Sequence, residues 1–415
     1  MRVAHVLRKY NPAEWGGTET ALQRLFEGLQ PEGVTPVIFF PRIDGNGTRE
    51  DPFARAAYAM KRFRAFVPIF GLPKDEKQQH IAVGGNLMSF DLLPALWFER
   101  DVQVIHSHTL GRIGGIGLTV ARRRNLPFVV TIHGGVLDLP AKLKQDFASG
   151  PDRGWEWGKI FGLLLNARHV LDRCDAILTC NPREAELMRQ KYPGKRVQVQ
   201  PHAVSTGTFE PDCRAAAQKA FPQLRGKKIL LCVGRIDPVK NQSWLIEQLP
   251  TVLQRHPEAL LVLAGACTDK HYGVQLLQRI QKLGLETHVL LTGGLPPGDP
   301  RLLGLFQEAG MELLPSISET FGLVILEAWA AGAAPVSSRT SGARSVIQDG
   351  ENGFLFDLED PASFHQAVDA LLTKEQLAKQ FGARGKEYVK SEFDSRVLAR
   401  RVKQLYDELI VEKRR

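Results

Sequence analysis

Short apolar runs of β-strand length recur along this chain, each followed by a stretch of helical periodicity, and they form two successive series. The first series runs through residues 3–7, 35–40, 102–105, 128–132 and 176–179, with helical patterns such as 18–29 and 112–124 between them. The second runs through residues 228–233, 260–264, 289–291, 311–314 and 334–337 and ends on a short strand at 354–356. Alternation of this kind predicts parallel sheets joined by crossover helices. Between the series lies 201–227, where prolines, Gly207 and a short polar helix interrupt the rhythm, and a long charged helical pattern from about Ala378 closes the chain. With 415 residues, the chain is too long for one compact core. Two α/β domains are expected.

Open α/β sheets bind ligands beyond the carboxyl ends of their strands, so the loops after strands carry the functional information. Gly234 and Arg235 follow the first strand of the second series, and Lys240 and Asn241 open the next helix. A backbone turn, two cations and a helix N-terminus together suit a diphosphate; a solvated basic turn is the alternative. Downstream, in SISETFGLVILEAWAAGAAP, Glu319 and Glu327 stand eight positions apart around a Phe-Gly turn. If Glu327 lies on the helix that this turn opens, a rise of 1.5 Å per residue separates the two by roughly 12 Å. That is about the reach from the ribose of a nucleotide to a sugar beyond its diphosphate. Glu327 sits within an apolar run, where an unpaired carboxylate would be costly.

The net charge of +9 implies an anionic partner: a nucleotide sugar, a membrane surface or nucleic acid. No basic tail or recognition motif of known docking geometry is present, so nucleic acid is not expected. The five cysteines show no metal-like spacing and are expected to be reduced thiols in the cytoplasm. The opening residues read as a first β-strand and not as a signal peptide, and no apolar run approaches the length of a spanning helix. His106 and His108, in I-H-S-H-T, lack a carboxylate or cysteine partner for a metal and are read as site lining or core. GRIGGIG at 111–117 has the wrong spacing for a dinucleotide loop. Asn181 to Glu184 read as a helix-opening cap. Residues 53–70, FARAAYAMKRFRAFVPIF, combine Lys61, Arg62 and Arg64 with aromatics and are open to two readings, contact with an anionic membrane or core with snorkelling charges. Trp155 and Trp157 are candidate acceptor contacts.

The motif G-R-x-x-x-x-K-N (Gly234, Arg235, Lys240, Asn241), followed by the two glutamates eight apart, resembles the retaining glycosyltransferases of glycosyltransferase family 4 (GT4), and the similarity spans nearly the whole chain. The resemblance implies a GT-B fold, with two Rossmann-like domains facing across a cleft. It would divide the chain into an acceptor domain at 1–203, a linker at 204–227, a nucleotide-sugar domain at 228–385 and a C-terminal helix at 386–415 packing back on the first domain. By the same resemblance, Arg235 and Lys240 hold the donor diphosphate, Glu319 faces the donor sugar and Glu327 takes the ribose hydroxyls. Gly234 and the amides of Phe321, Gly322 and Leu323 lie beside sugar and phosphate. Gly16 and Gly17 form a glycine loop facing the donor, and His133, in T-I-H-G-G, contacts the transferred sugar.

The implied reaction moves a sugar from a nucleotide-diphosphate sugar to a hydroxyl of a saccharide or lipid-linked acceptor, in cell-envelope polysaccharide or glycolipid synthesis, in the cytoplasm or at the inner face of the membrane. No D-x-D motif occurs, so neither a metal nor a cofactor beyond the donor is expected. A GT-B-like epimerase or phosphorylase and a non-catalytic nucleotide-sugar-binding protein are the alternatives. One position departs from the family pattern: Ser345 stands where a glutamate is usual, before Asp349, Gly350, Asn352 and Gly353.

Overall fold

The structure, a computed structural model, describes residues 1–10, 16–42, 58–71, 87–138, 155–156 and 159–415. These divide into two compact units, Met1–Pro201 with Ser395–Arg415, and His202–Asp394.

In the first unit the strands are β1 (Arg2–Val6), β2 (Thr35–Pro41), β3 (Ala59–Phe63), β4 (Ile69–Phe70), β5 (Val102–Ser107), β6 (Phe128–Ile132), β7 (Trp155–Glu156), β8 (Ala176–Thr179) and β9 (Arg196–Val199). The helices are α1 (Gly17–Leu29), α2 (Leu92–Trp97), α3 (Gly111–Arg123), α4 (Lys159–Leu164), α5 (Val170–Arg173) and α6 (Pro182–Lys191). Among the described residues, seven strands form a parallel sheet in the order β3-β2-β1-β5-β6-β8-β9. Strands β6 (FVVTI) and β8 are buried along their whole length, the continuous apolar run that a sheet covered on both faces requires. The glycines of 111–117 lie inside α3 and serve packing: a Cβ on Gly114 would fall 2.4 Å from the Thr109 carbonyl oxygen.

In the second unit the strands are β10 (Lys228–Val233), β11 (Ala259–Ala264), β12 (Val289–Gly293), β13 (Met311–Leu314), β14 (Ala334–Ser338) and β15 (Phe354–Phe356). The helices are α7 (Arg214–Ala220), α8 (Gln242–Arg255), α9 (Lys270–Lys282), α10 (Pro300–Glu308), α11 (Leu323–Ala331), α12 (Ser341–Val346), α13 (Pro361–Thr373) and α14 (Glu375–Tyr388). The parallel sheet order is β12-β11-β10-β13-β14-β15. Successive strands step one way from β10 to β12, then resume on the other side of β10 at β13. The topological switch point is therefore between β10 and β13, where open α/β sheets place their ligands. One face of this sheet, with Leu230, Leu261, Met311 and Val336, packs under α8, α9, α13 and α14. Helices α10 and α11 touch the sheet from the opposite face.

Two expectations from the sequence change here. Residues 204–227 were expected as a linker, yet they fold onto the second unit. The Cys213 amide donates to Gln307 Oε1 (2.7 Å), Phe209 packs edge-on against Phe306, and Phe209, Ala217 and Leu224 are buried. Three apolar anchors hidden among polar and proline residues account for the difference.

The final helix was expected to span 386–415. Instead α14 ends at Tyr388, a π-turn covers Val389–Phe393, and α15 (Ser395–Arg414) begins after Asp394. Asp394 accepts a hydrogen bond from Thr206 Oγ1 (2.6 Å), which fixes the segment before α15 in the second unit. Helix α15 itself completes the core of the first: Ala399, Val402, Leu405, Tyr406 and Leu409 join Leu22, Phe26 and Leu29 of α1.

Within 53–70, residues 53–57 lie outside the described set, and 59–63 form the edge strand β3. There Lys61 pairs with Glu99 and Arg62 lies over the Phe40 ring, so both cations have partners within the chain. Trp155 pairs with Phe70 in a short antiparallel ladder, and Trp157 lies outside the described residues. No helix among the described residues is long and apolar enough to cross a membrane.

Candidate functional site

The loop after β10 is built around Asp237. Its Oδ1 accepts hydrogen bonds from the amides of Val239 and Lys240, both at 3.1 Å, an Asx-type turn that feeds the chain into α8. Asp237 Oδ2 pairs with Arg235 Nη2 at 3.1 Å. The Ile317 amide donates to the Val239 carbonyl (2.9 Å) and Asn241 Nδ2 to the Pro315 carbonyl (3.3 Å), which ties this loop to the one leaving β13. Where the loops meet, Lys240 Nζ and the Glu319 carboxylate form a close ion pair. Lys240 is 19% exposed and Glu319 16%, whereas Arg235 is 57% exposed. Burial alone would lower the pKa of Lys240, but the adjacent Glu319 carboxylate outweighs it, and the ammonium titrates above its ordinary value.

The turn from Glu319 into α11 is clamped from below by α12. The Gly342 amide donates to the Glu319 carbonyl (2.9 Å), and a Cβ on Gly342 would lie 2.4 Å from the Phe321 nitrogen. Gly322 caps α11 at φ +83°, a left-handed conformation that favours glycine. The Phe321 side chain is buried against His202 and Phe393. Leu323 is the first residue of α11 and is half-buried. Helix α11 is apolar nearly all round, as a buried helix must be, and Glu327 is half-buried on it. Ser345 turns its hydroxyl back to donate to the Gly342 carbonyl within α12 (2.6 Å), so it does not extend the carboxylate pair.

Glu312 is a functional candidate that the sequence reading missed. It lies in β13 and is completely buried, and among the described residues its carboxyl has no side-chain hydrogen-bond partner, only the backbone amide of Val233 within reach. Burial pushes its pKa to about 8; Lys240 pulls it down, while Glu327 and Glu319 push it further up. The available signal was an acid inside the otherwise apolar strand M-E-L-L, since glutamates are almost never fully buried unless paired.

In the first unit the candidates stand at the ends of β1, β5 and β6. The Gly16 amide donates to Glu19 Oε2 (3.1 Å), closing the first turn of α1, and Gly17 is the first helical residue. His133 belongs to a chain of imidazoles: His5 Nδ1 and His108 Nε2 are 3.0 Å apart, and His108 Nδ1 and His133 Nε2 are 2.8 Å apart. His106, the register partner of His5, bonds the Tyr406 hydroxyl (2.5 Å) and Thr131 Oγ1 (2.6 Å). Burial lowers the pKa of His106 to about 3; burial, then His106 itself, lowers that of His5 as well. Both rings are therefore neutral at physiological pH.

Ring nitrogens of His5, His106 and His108 come close enough to share a metal ion. A metal there would have to displace the hydrogen bonds just described, and among the described residues no carboxylate or thiolate joins the group. Glu184 was read only as a cap, with its amide bonded to Asn181 Oδ1 (2.8 Å). It does more: its buried carboxylate accepts from the amides of Val136, Leu137 and Asp138, the nearest at 2.7 Å, and so holds the loop that follows His133.

Two family models match the chain in succession, "Glycosyltransferase Family 4" over residues 15–208 and "Glycosyl transferases group 1" over 215–388. The chain belongs to glycosyltransferase family 4.

Among the relatives of this family-4 chain is the D-inositol 3-phosphate glycosyltransferase of Corynebacterium jeikeium, 26% identical over 99% of this chain and 97% of that protein. The enzyme of the same name from Acidothermus cellulolyticus is 28% identical over 74% of this chain and 67% of its own. Among solved structures, Anabaena HepE in complex with UDP superposes with a TM-score of 0.74 at 16% identity, covering 98% of this chain and all of the other. Sucrose-phosphate synthase from Thermosynechococcus elongatus gives 0.72 at 21% identity, with 99% of each chain covered. These neighbours establish the GT-B fold with its two Rossmann-like domains.

Of the residues singled out from the family-4 motifs, Gly234, Arg235, Lys240, Glu319, Phe321, Gly322, Leu323 and Glu327 lie in the second unit. There the β10 and β13 loops bring Lys240 and Glu319 into contact. Gly16, Gly17 and His133 lie in the first.

Proposed function

We propose that this glycosyltransferase transfers a sugar, with retention at the anomeric carbon, from a nucleotide-diphosphate sugar to an acceptor hydroxyl. The observation that carries this reading is the Lys240–Glu319 pair at the switch point, with Arg235 on the same loop. In the unliganded protein Glu319 neutralises Lys240. A diphosphate entering the crevice takes over the ammonium and meets Arg235, and Glu319 is released towards the donor sugar. As the bond from the anomeric carbon to the phosphate oxygen breaks, charge grows on that oxygen, where preorganised cations are worth several kcal/mol. The backbone amides at the start of α11 add a helix N-terminus to the same anion. The acceptor hydroxyl attacks from the face that the phosphate leaves, its proton passing to the departing phosphate oxygen. Lys240, Arg235 and the α11 amides supply the positive charge that a metal would bring in other designs.

Glu327 is assigned to the ribose hydroxyls, His133 to the transferred sugar, and Gly16 and Gly17 to the donor's surroundings. Glu184 and the histidine chain orient the His133 loop. Because relatives are named for D-inositol 3-phosphate and a structural neighbour is described with UDP, a uridine donor and a phosphorylated polyol are the first substrates to try. A saccharide or lipid-linked acceptor in cell-envelope synthesis, reached by peripheral contact with an anionic membrane, is the wider setting we assign.

Thermal-shift screening against nucleotides and nucleotide sugars tests the reading. A binder at a hundredfold excess over Kd stabilises by about 2.7 kcal/mol. Following the best donor by NMR with candidate acceptors then reads the anomeric configuration of the product. Absence of any nucleotide-dependent shift, or an inverted product, overturns the proposal.

A further inference from the structure

Glu312 is the buried ionisable group that this reaction leaves unused. Strands β10 and β13 are in register only at Leu230 with Met311 and Leu231 with Glu312. Beyond that point they part. One loop leaves with Gly234, Arg235 and Lys240, the other with Glu319, so Glu312 is the last paired residue at the root of the crevice. Its carboxyl is fully buried with no side-chain hydrogen-bond partner and only the Val233 backbone amide beside it, an arrangement that core packing alone would not favour.

The charged and titratable groups around it come from every neighbouring element: Cys232 from β10, Lys240 from the loop after β10, Glu319 from the loop after β13, and Glu327 from α11. Strand β14 places Pro335 opposite it and carries no ionisable side chain. On α10, Arg301 is engaged by Asp299 and Glu308 by Gln218. With Glu312 neutral, the two cations Arg235 and Lys240 face three carboxylates, Asp237, Glu319 and Glu327. A fourth carboxylate would set one more negative charge against any incoming diphosphate.

We propose that Glu312 is a positioning residue whose neutral acid form is the floor on which the donor site is built, so that ionisation of Glu312 and occupancy of the crevice by a diphosphate oppose one another. The inference rests on the donor reading of the Lys240 loop. By linkage, a bound diphosphate tightens the hold of Glu312 on its proton, and the protein takes up a proton on binding wherever Glu312 has begun to ionise.

Isothermal titration of the full chain with UDP, and with inorganic pyrophosphate as a probe independent of the base, tests this when wild type and Glu312→Gln are compared across pH. Ligand protonation is common to both proteins and cancels in the comparison. Wild-type affinity should fall by up to about tenfold per pH unit above the Glu312 midpoint relative to Glu312→Gln. Buffers of different ionisation enthalpy should reveal more proton uptake by wild type than by Glu312→Gln. Should Glu312→Gln fold poorly, Glu312→Met serves as a second non-ionisable variant for the same comparison. Parallel profiles with equal proton uptake overturn the role of Glu312 while leaving the donor site intact. Failure of both probes to bind either protein at any pH removes the donor site, and the role of Glu312 with it.

Discussion

The two units use the same scaffold, a parallel sheet whose functional candidates stand at the carboxyl ends of central strands, but they equip it in opposite ways. At the end of β10 and β13 the groups are charged, Lys240 against Glu319 and Arg235 against Asp237, next to the fully buried acid Glu312. At the ends of β1, β5 and β6 they are imidazoles, with His5 and His106 neutral and the rings bonded to one another, to a hydroxyl of β6 and to a tyrosine from α15. Charged groups in a partly buried site are suited to receiving an ion by exchanging partners. A chain of bonded rings, two of them neutral, is suited to fixing the direction of a hydrogen bond with little added charge. The difference is what separate duties towards a diphosphate and towards sugar hydroxyls would require.

The contrast breaks most sharply at Lys240. Lys240→Ala should lower sugar transfer by roughly 10²–10³-fold, the scale for losing one preorganised electrostatic contact, while nucleotide-diphosphate affinity falls in parallel. Unchanged turnover would mean that the charged site is not where the donor reacts.

The neutral side is sharpened by acid titration. His106 titrates at about 3 when folded, against an ordinary 6.5, so between those values the unfolded chain binds a proton that the folded chain refuses. Stability is therefore retained above pH 6.5 and lost as pH falls towards 3, with a slope approaching ~1.4 kcal/mol per unit from this ring. Chemical denaturation of wild type and His106→Gln across that range should show a shallower acid loss in the variant. Glu312 has the reverse sign. Its folded pKa is raised from 4.5 to about 8, so wild type should lose stability relative to Glu312→Gln as pH rises through that window.

A smaller effect is expected at Gly342→Ala, where the added Cβ must push aside the Phe321 backbone; destabilisation of about 1–3 kcal/mol in urea melts is the expected range. Least affected in stability is Arg235→Ala. Its exposed pair with Asp237 should leave the melting curve within about 0.5 kcal/mol of wild type, yet weaken pyrophosphate binding measured by calorimetry.

Much of this architecture was legible in the sequence because parallel strands buried on both faces appear as continuous apolar runs, and β6, β8, β10 and β13 were read at their observed limits. Among the strands missed, β3 (AMKRF) and β9 (RVQV) carry charged or polar side chains that broke the apolar run used to find strands. The Lys240 and Glu319 loops were legible through local motifs. The imidazole chain was not, since His5 and His108 are brought together by the pairing of β1 with β5, 103 positions apart in sequence. Glu312 was hidden for another reason: an acid within an apolar tetrad looks like noise until the parting of β10 and β13 gives it a location. Residues 204–227 misled because proline and polar spacing marked irregular backbone, which is not the same as the absence of packing.

The pairing of α1 with α15 has a consequence for biosynthesis. Emerging from the ribosome, the chain completes the second unit at Asp394 while the first still lacks the helix that seals Phe26 and Leu29. The half synthesised first thus matures last, and its apolar groove stays unsealed, open to chaperones, until Ser395–Arg414 has emerged.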